Sequence, residues 1–176
     1  MMQSPTNRSA RLSVCAVLTA LALIFSYIEF LIPLNLGIPG VKLGLANLVV
    51  IVALYSNGAL AAFAINFVRI LLSALLFGNM FSAIYALCGG ILSMLFMMLL
   101  YKTKKFSVVG ISMAGGVMHN IGQLIAAYFI MDQLSIFYYL PVLLLTGLAA
   151  GIVNGVLATL IIKKVKLSGI SFRVKR

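Results

Sequence analysis

A single arginine, Arg69, lies near the middle of an apolar run, residues 59–77, that is long enough to cross a bilayer. A charge at mid-bilayer costs about 2.5–3.5 kcal/mol even on the lenient insertion scale, so it is rarely kept without a use or a partner. Asn66 lies three residues earlier, which puts it on the same helix face. In another apolar run His119 and Gln123 are four apart and share a face, with Asn120 between them. Gly115, one turn before His119, leaves room for a ligand or a neighbouring helix beside the imidazole. Lys42 and Asn47 belong to a third run, and Glu29 lies near the end of a fourth. This interior is rich in cations and donors and holds one carboxylate, Glu29. A ligand with an anionic or strongly hydrogen-bond-accepting head is therefore expected, held by Lys42, Arg69 and His119 and oriented by Asn47, Asn120 and Gln123. Plainer roles compete with this. Glu29 would neutralise Arg69 or Lys42, and Lys42 would snorkel to the interface. His119, Asn120 and Gln123 would bond helix to helix, at roughly 0.6 kcal/mol each.

The elements that must position these residues are membrane helices. Of the 176 residues, 64% are hydrophobic and only 9% charged, and the mean hydropathy is +1.20. A soluble domain is roughly 45–50% apolar and about 25% charged. About 20 apolar residues cross the hydrocarbon core. The pattern predicts an all-α, polytopic membrane protein with six spans, at about 12–31, 41–55, 59–77, 81–101, 108–130 and 139–162. Pro33, the turn-rich residues 35–40, the Ser56–Gly58 turn and Gly78-Asn79 punctuate the runs. Residues 1–11 form a basic N-terminus, 12–162 the six-helix domain and 163–176 a basic tail. No stretch is left for a soluble catalytic domain.

The formal net charge is +11, yet the basic residues cluster between and beyond the apolar runs rather than on a folded polar face. They read as topology signals, not as a nucleic-acid footprint. Six spans put Arg8, Arg11, the lysines of residues 102–105 and those after 162 on one side, with Lys42 alone on the other. The positive-inside rule then places both termini in the cytoplasm. The first run is too long for a signal-peptide core and lacks a small-residue cleavage site, so it is expected to be a retained span.

Several chemistries have no residues here. There is no Gly-x-x-x-x-Gly-Lys-Ser/Thr sequence for ATP. With two acidic residues in the chain, magnesium–diphosphate chemistry on clustered aspartates is not available. His119 has no Ser or Cys nucleophile signature around it. No catalytic residue, cofactor or metal is expected, and Cys15 and Cys88 read as buried packing residues. Small residues recur at helical spacing: Ala16 and Ala20, then Ser82, Ala86 and Gly90, then Gly147, Gly151 and Gly155. Such stripes let helices approach closely in lipid. The later two are expected to pack within the chain, and Ala16/Ala20 either within it or against an outside partner.

Pro39-Gly-Val-Lys-Leu-Gly-Leu-Ala-Asn47, Arg69, Gly89-Gly90, His119-Asn-Ile-Gly-Gln123 and Leu140-Pro141 together resemble the family named heptaprenyl diphosphate synthase component I, also called the Gx transporter family. The resemblance runs from the first span to the sixth. That family is in turn similar to the substrate-binding S components of energy-coupling-factor (ECF) transporters. The resemblance implies a six-helix bundle in the bacterial plasma membrane that captures a small substrate from outside. It implies partners too: a transmembrane coupling subunit and two ATPases, docked through an Ala-x-x-x-Ala surface that Ala16 and Ala20 match. The family name suggests an alternative, a membrane accessory component of a prenyl diphosphate synthase, although the Asp-rich motifs of a prenyltransferase are absent from this chain. A third possibility is an ion-coupled transporter in which Glu29 and His119 carry protons.

Overall fold

In lipid no water is at hand for backbone N–H and C=O groups, so an apolar run satisfies them internally by coiling into a helix. A computed structural model describes residues 8–32 and 44–167, which are helical throughout apart from short connections. The helices are α1 (Arg8–Leu31), α2 (Leu45–Ser56), α3 (Ala59–Leu76), α4 (Met80–Thr103), α5 (Val108–Met131) and α6 (Leu140–Leu167), with a short 3-10 helix, Leu134–Tyr139, leading into α6. Among the described residues there is no strand. Five helices are long and apolar enough to cross a membrane. The all-α, multi-pass reading of the sequence holds.

Polar side chains cap the ends where the chain turns. Asn79 and Ser82 form a reciprocal capping box on α4: the Ser82 N–H donates to Asn79 Oδ1 (2.8 Å) and the Asn79 N–H to Ser82 Oγ (3.0 Å). Ser107 Oγ accepts the Gly110 N–H at the start of α5. Asp132, in the left-handed region at φ 50°, ends α5. The polar loop expected around Asp132 and Gln133 is thus a cap followed by the short 3-10 helix. The last helix differs more from expectation. It continues through Lys163 and Lys164 to Leu167 instead of giving way to a tail at 163. Cations suit the negative end of a helix dipole, so these lysines prolong α6 rather than end it.

The second span departs most from its expected form. α2 has 12 residues, about 18 Å at 1.5 Å per residue, well short of the roughly 30 Å hydrocarbon core. Nine of the 12 are buried, so α2 is enclosed by its neighbours. A helix apolar on every side belongs inside. α2, α3, α4, α5 and α6 form a ring in which each packs on the next, and α6 returns to α2. α1 packs on α2 and α3 from outside. Among its residues 11–32, Ala22 alone is buried.

The bundle divides along its length. The apolar core joins Ile51 and Leu54 of α2, Ala62 and Ile65 of α3, Met94 and Met97 of α4, Ile111 of α5, and Ala158 and Ile162 of α6. It fills the half nearer the lysines of residues 102–105. Arg11, Lys102, Lys104, Lys105, Lys163 and Lys164 are all exposed at that same end. The polar side chains gather in the other half.

Glycines set the helix spacing. Gly147, Gly151 and Gly155 form one contact surface on α5: a Cβ on them would lie 2.8 Å from the Gly116 oxygen, 2.6 Å from Met113 Cα and 2.7 Å from Val109 Cα, respectively. This stripe packs within the chain, as expected. The Ser82/Ala86/Gly90 series does not act as a unit, because Ser82 caps α4 and Gly90 meets α3. Ala16 and Ala20 are exposed on α1. Cys88, expected to be buried, is exposed on α4, and half-buried Cys15 accepts a hydrogen bond from Asn57 Nδ2 at its sulfur.

Candidate functional site

Arg69 links three helices. Its Nη1 donates to Ser26 Oγ of α1 (3.3 Å) and its Nη2 to Asn66 Oδ1 one turn back on α3 (2.7 Å). Asn66 is itself buried and donates from Nδ2 to the Gly90 carbonyl of α4 (3.2 Å). The approach is possible because Gly90 has no side chain: a Cβ there would lie 2.5 Å from Ile70 Cδ1 and 3.2 Å from Asn66 Nδ2. These bonds hold two guanidinium nitrogens and leave the third, Nε, buried with no hydrogen-bond partner.

His119 and Gln123 reach the same turn of α4 from α5. A Cβ on Gly89 would stand 2.7 Å from the His119 carbonyl oxygen, 2.9 Å from Gln123 Cγ and 3.1 Å from His119 Cε1. Gln123 Oε1 is buried without a hydrogen-bond partner. The Gly89–Gly90 pair thus brings the polar residues of α3 and of α5 to one level of the bundle. Consecutive helix residues are about 100° apart, so the two groups approach α4 from adjacent sides.

Asn120 points elsewhere. It is buried and donates from Nδ2 to the Leu143 carbonyl of α6 (2.6 Å), with Thr146 Oγ1 at 3.5 Å. Its amide joins α5 to α6. Asn120→Ala is expected to lower stability by about 0.6–1.7 kcal/mol, the range for such bonds in a membrane bundle. Thermal unfolding in detergent measures this. Asn47 sits half-buried in the first turn of α2. Lys42 lies outside the described residues.

The match between this chain and a known family spans the helices just described. The model of the family described as heptaprenyl diphosphate synthase component I matches residues 18–161. The chain belongs to that family. No curated protein and no solved structure matches it. The family match takes in both polar groups and the α4 glycines between them.

Glu29 has a structural role in this component I chain. Its Oε1 accepts the Leu45 N–H (2.8 Å), capping α2 from α1. Gly44, the residue before α2, sits at φ 73° and its carbonyl accepts from Asn154 Nδ2 of α6 (3.1 Å). The first turn of α2 is thus fixed from α1 and from α6. Glu29→Gln keeps an oxygen for the Leu45 N–H, whereas Glu29→Ala removes it. Alanine is expected to be less stable than glutamine by about 1 kcal/mol in thermal unfolding.

The sequence reading passed over Ser26, Ser73 and Asn154. Ser26 precedes Glu29 by three residues, and Ser73 follows Arg69 by four. Asn154 interrupts an apolar span between Gly151 and Gly155. Each stands at helical spacing from a residue already marked, and that was the signal available.

Proposed function

We propose that this protein is the substrate-binding membrane subunit of an ECF-type uptake transporter in the bacterial plasma membrane, for a small molecule with an anionic or strongly hydrogen-bond-accepting head. One observation carries the reading. Arg69 Nε, whose guanidinium is tied through Asn66 to the Gly90 carbonyl, and Gln123 Oε1, whose side chain lies against Gly89, are both buried without partners. Buried polar atoms are seldom left unbonded in the absence of a ligand, ion or water. In this reading Arg69 and His119 contact the anionic or accepting head, Gln123 Oε1 accepts from a donor group of the ligand, Lys42 and Asn47 approach from the start of α2, and Asn120 fixes α5 in place. The chain has no P-loop, so ATP hydrolysis would come from partners. Ala16 and Ala20, exposed on the lightly packed α1, would take the coupling subunit.

The family description supports a second reading, a membrane accessory component of heptaprenyl diphosphate synthase. Affinity purification in mild detergent, with mass spectrometry of proteins and small molecules, separates the two. Recovery of a coupling subunit, two ATPases and a bound small molecule is the expected result. Recovery of a prenyl diphosphate synthase catalytic subunit without them would sink the transporter reading in favour of the second.

A further inference from the structure

Arg69 and Ser73 of α3 and Phe77, the residue that caps its end, follow one another at four-residue spacing, and both ends of this series touch α1. Arg69 bonds Ser26. The Phe77 ring lies 5.3 Å from that of Tyr27 and 5.5 Å from that of Phe30. Ser73 stands between these contacts, and its Oγ is buried without a hydrogen-bond partner, like Arg69 Nε one turn away. The face of α3 that Arg69 and Phe77 turn toward α1 therefore carries two unsatisfied donors one turn apart. The rest of the guanidinium is already oriented by Ser26 and Asn66. Glu29 is held at the N–H of Leu45. An N–H and an O–H one turn apart on the same helix face suit one oxyanion that bridges them, and the arginine fork favours carboxylate or phosphate oxygens.

We propose that Arg69 Nε and Ser73 Oγ form an oxyanion site in the α1–α3 seam that takes the phosphate or carboxylate head of an amphiphile, whose apolar chain lies along Tyr27 and Phe30. The proposal rests on the ligand-binding reading above and adds a residue, a ligand class and a route. Tyr27 and Phe30 are exposed on the bundle surface, beside the buried donors. A head group anchored to an apolar chain reaches the seam from within the bilayer, whereas a free anion would have to cross hydrocarbon. Both donors are closed off in the present conformation, so α1 must shift to admit the head. Its light burial suits it to that movement.

Ser73→Ala tests the assignment in purified full-length protein reconstituted in neutral-lipid nanodiscs. The probes are dodecyl phosphate and inorganic phosphate. Wild type is expected to bind dodecyl phosphate more tightly than inorganic phosphate, and Ser73→Ala to weaken dodecyl phosphate about tenfold, one hydrogen bond's worth. Without a probe, Ser73→Ala is expected to unfold at the same temperature as wild type or higher, because it removes a buried unbonded hydroxyl. Equal affinity of wild type and Ser73→Ala for dodecyl phosphate, or no binding by wild type, overturns the oxyanion site. Inorganic phosphate binding as tightly as dodecyl phosphate overturns the amphiphile. The broader reading fails separately, on the proteins and small molecules that copurify. It survives a silent Ser73→Ala if Arg69 and Gln123 variants lose a copurified ligand.

Discussion

Gly116→Leu is expected to drive α5 and α6 apart and leave little folded protein. A Cβ at Gly116 would fall on the carbonyl oxygen of Gly147, and a Cβ at Gly147 would lie 2.8 Å from the Gly116 oxygen. The obstacle is main chain on both sides, so no rotamer change relieves it. Overpacking a fitted interior costs about 1–3 kcal/mol even where side chains can yield, so Gly116→Ala is expected to lose at least that much, and leucine more. Gly110→Ala is the control, because its nearest neighbour would be Ser107 Oγ at an ordinary 3.5 Å. There the substitution is expected to be neutral or to gain up to about 1 kcal/mol from helix propensity. Thermal unfolding and size-exclusion profiles in detergent report both. If Gly116→Ala were as stable as Gly110→Ala, the α5–α6 contact described here would be wrong.

Arg69→Ala is expected to abolish or severely weaken ligand binding while sparing the fold. Hydrogen bonds to a charged group contribute about 1.5–3 kcal/mol, which converts to a roughly ten- to hundredfold loss of affinity at 1.4 kcal/mol per tenfold. Two stability effects oppose each other. Alanine deprives Asn66 Oδ1 and Ser26 Oγ of a donor, yet it also removes a charge that costs about 2.5–3.5 kcal/mol to place in the bilayer. The thermal midpoint should therefore move little. Arg69→Lys keeps the charge and loses the fork, and it is expected to bind nearly as poorly as alanine. Quantifying the small molecule that copurifies with each variant provides the check. Wild-type ligand occupancy in Arg69→Ala would remove Arg69 from the site.

The link between site and fold runs through α4. Gly89 and Gly90 let α5 and α3 approach it closely enough for their polar residues to meet at one level. Substituting either glycine is expected to disturb both ligand binding and packing. For that reason Ser73 and Arg69, which can change without such collisions, are the cleaner probes of function.

The amino-acid sequence alone determined that the chain lies in lipid, because helix length and apolar content depend only on local composition and the bilayer's thickness. It also determined the gathering of lysine and arginine at one end, and it marked Arg69, Asn66, His119 and Gln123 as costly polar residues in apolar runs. The glycine stripe of α6 was legible as a packing surface, since its four-residue spacing fixes a single face. Tertiary structure decided which helix each face meets. His119, Asn120 and Gln123 read as one cluster in sequence, but the helical rotation between neighbours sends Asn120 to α6 while His119 and Gln123 meet α4. Glu29 read as a counter-charge; only the placement of α1 beside the start of α2 showed it as a cap. The second apolar run read as a span, yet its 12-residue helix is too short to cross alone and is enclosed by its neighbours. Periodicity records the direction of a side chain around its own axis. The partner in that direction is set by how the helices pack.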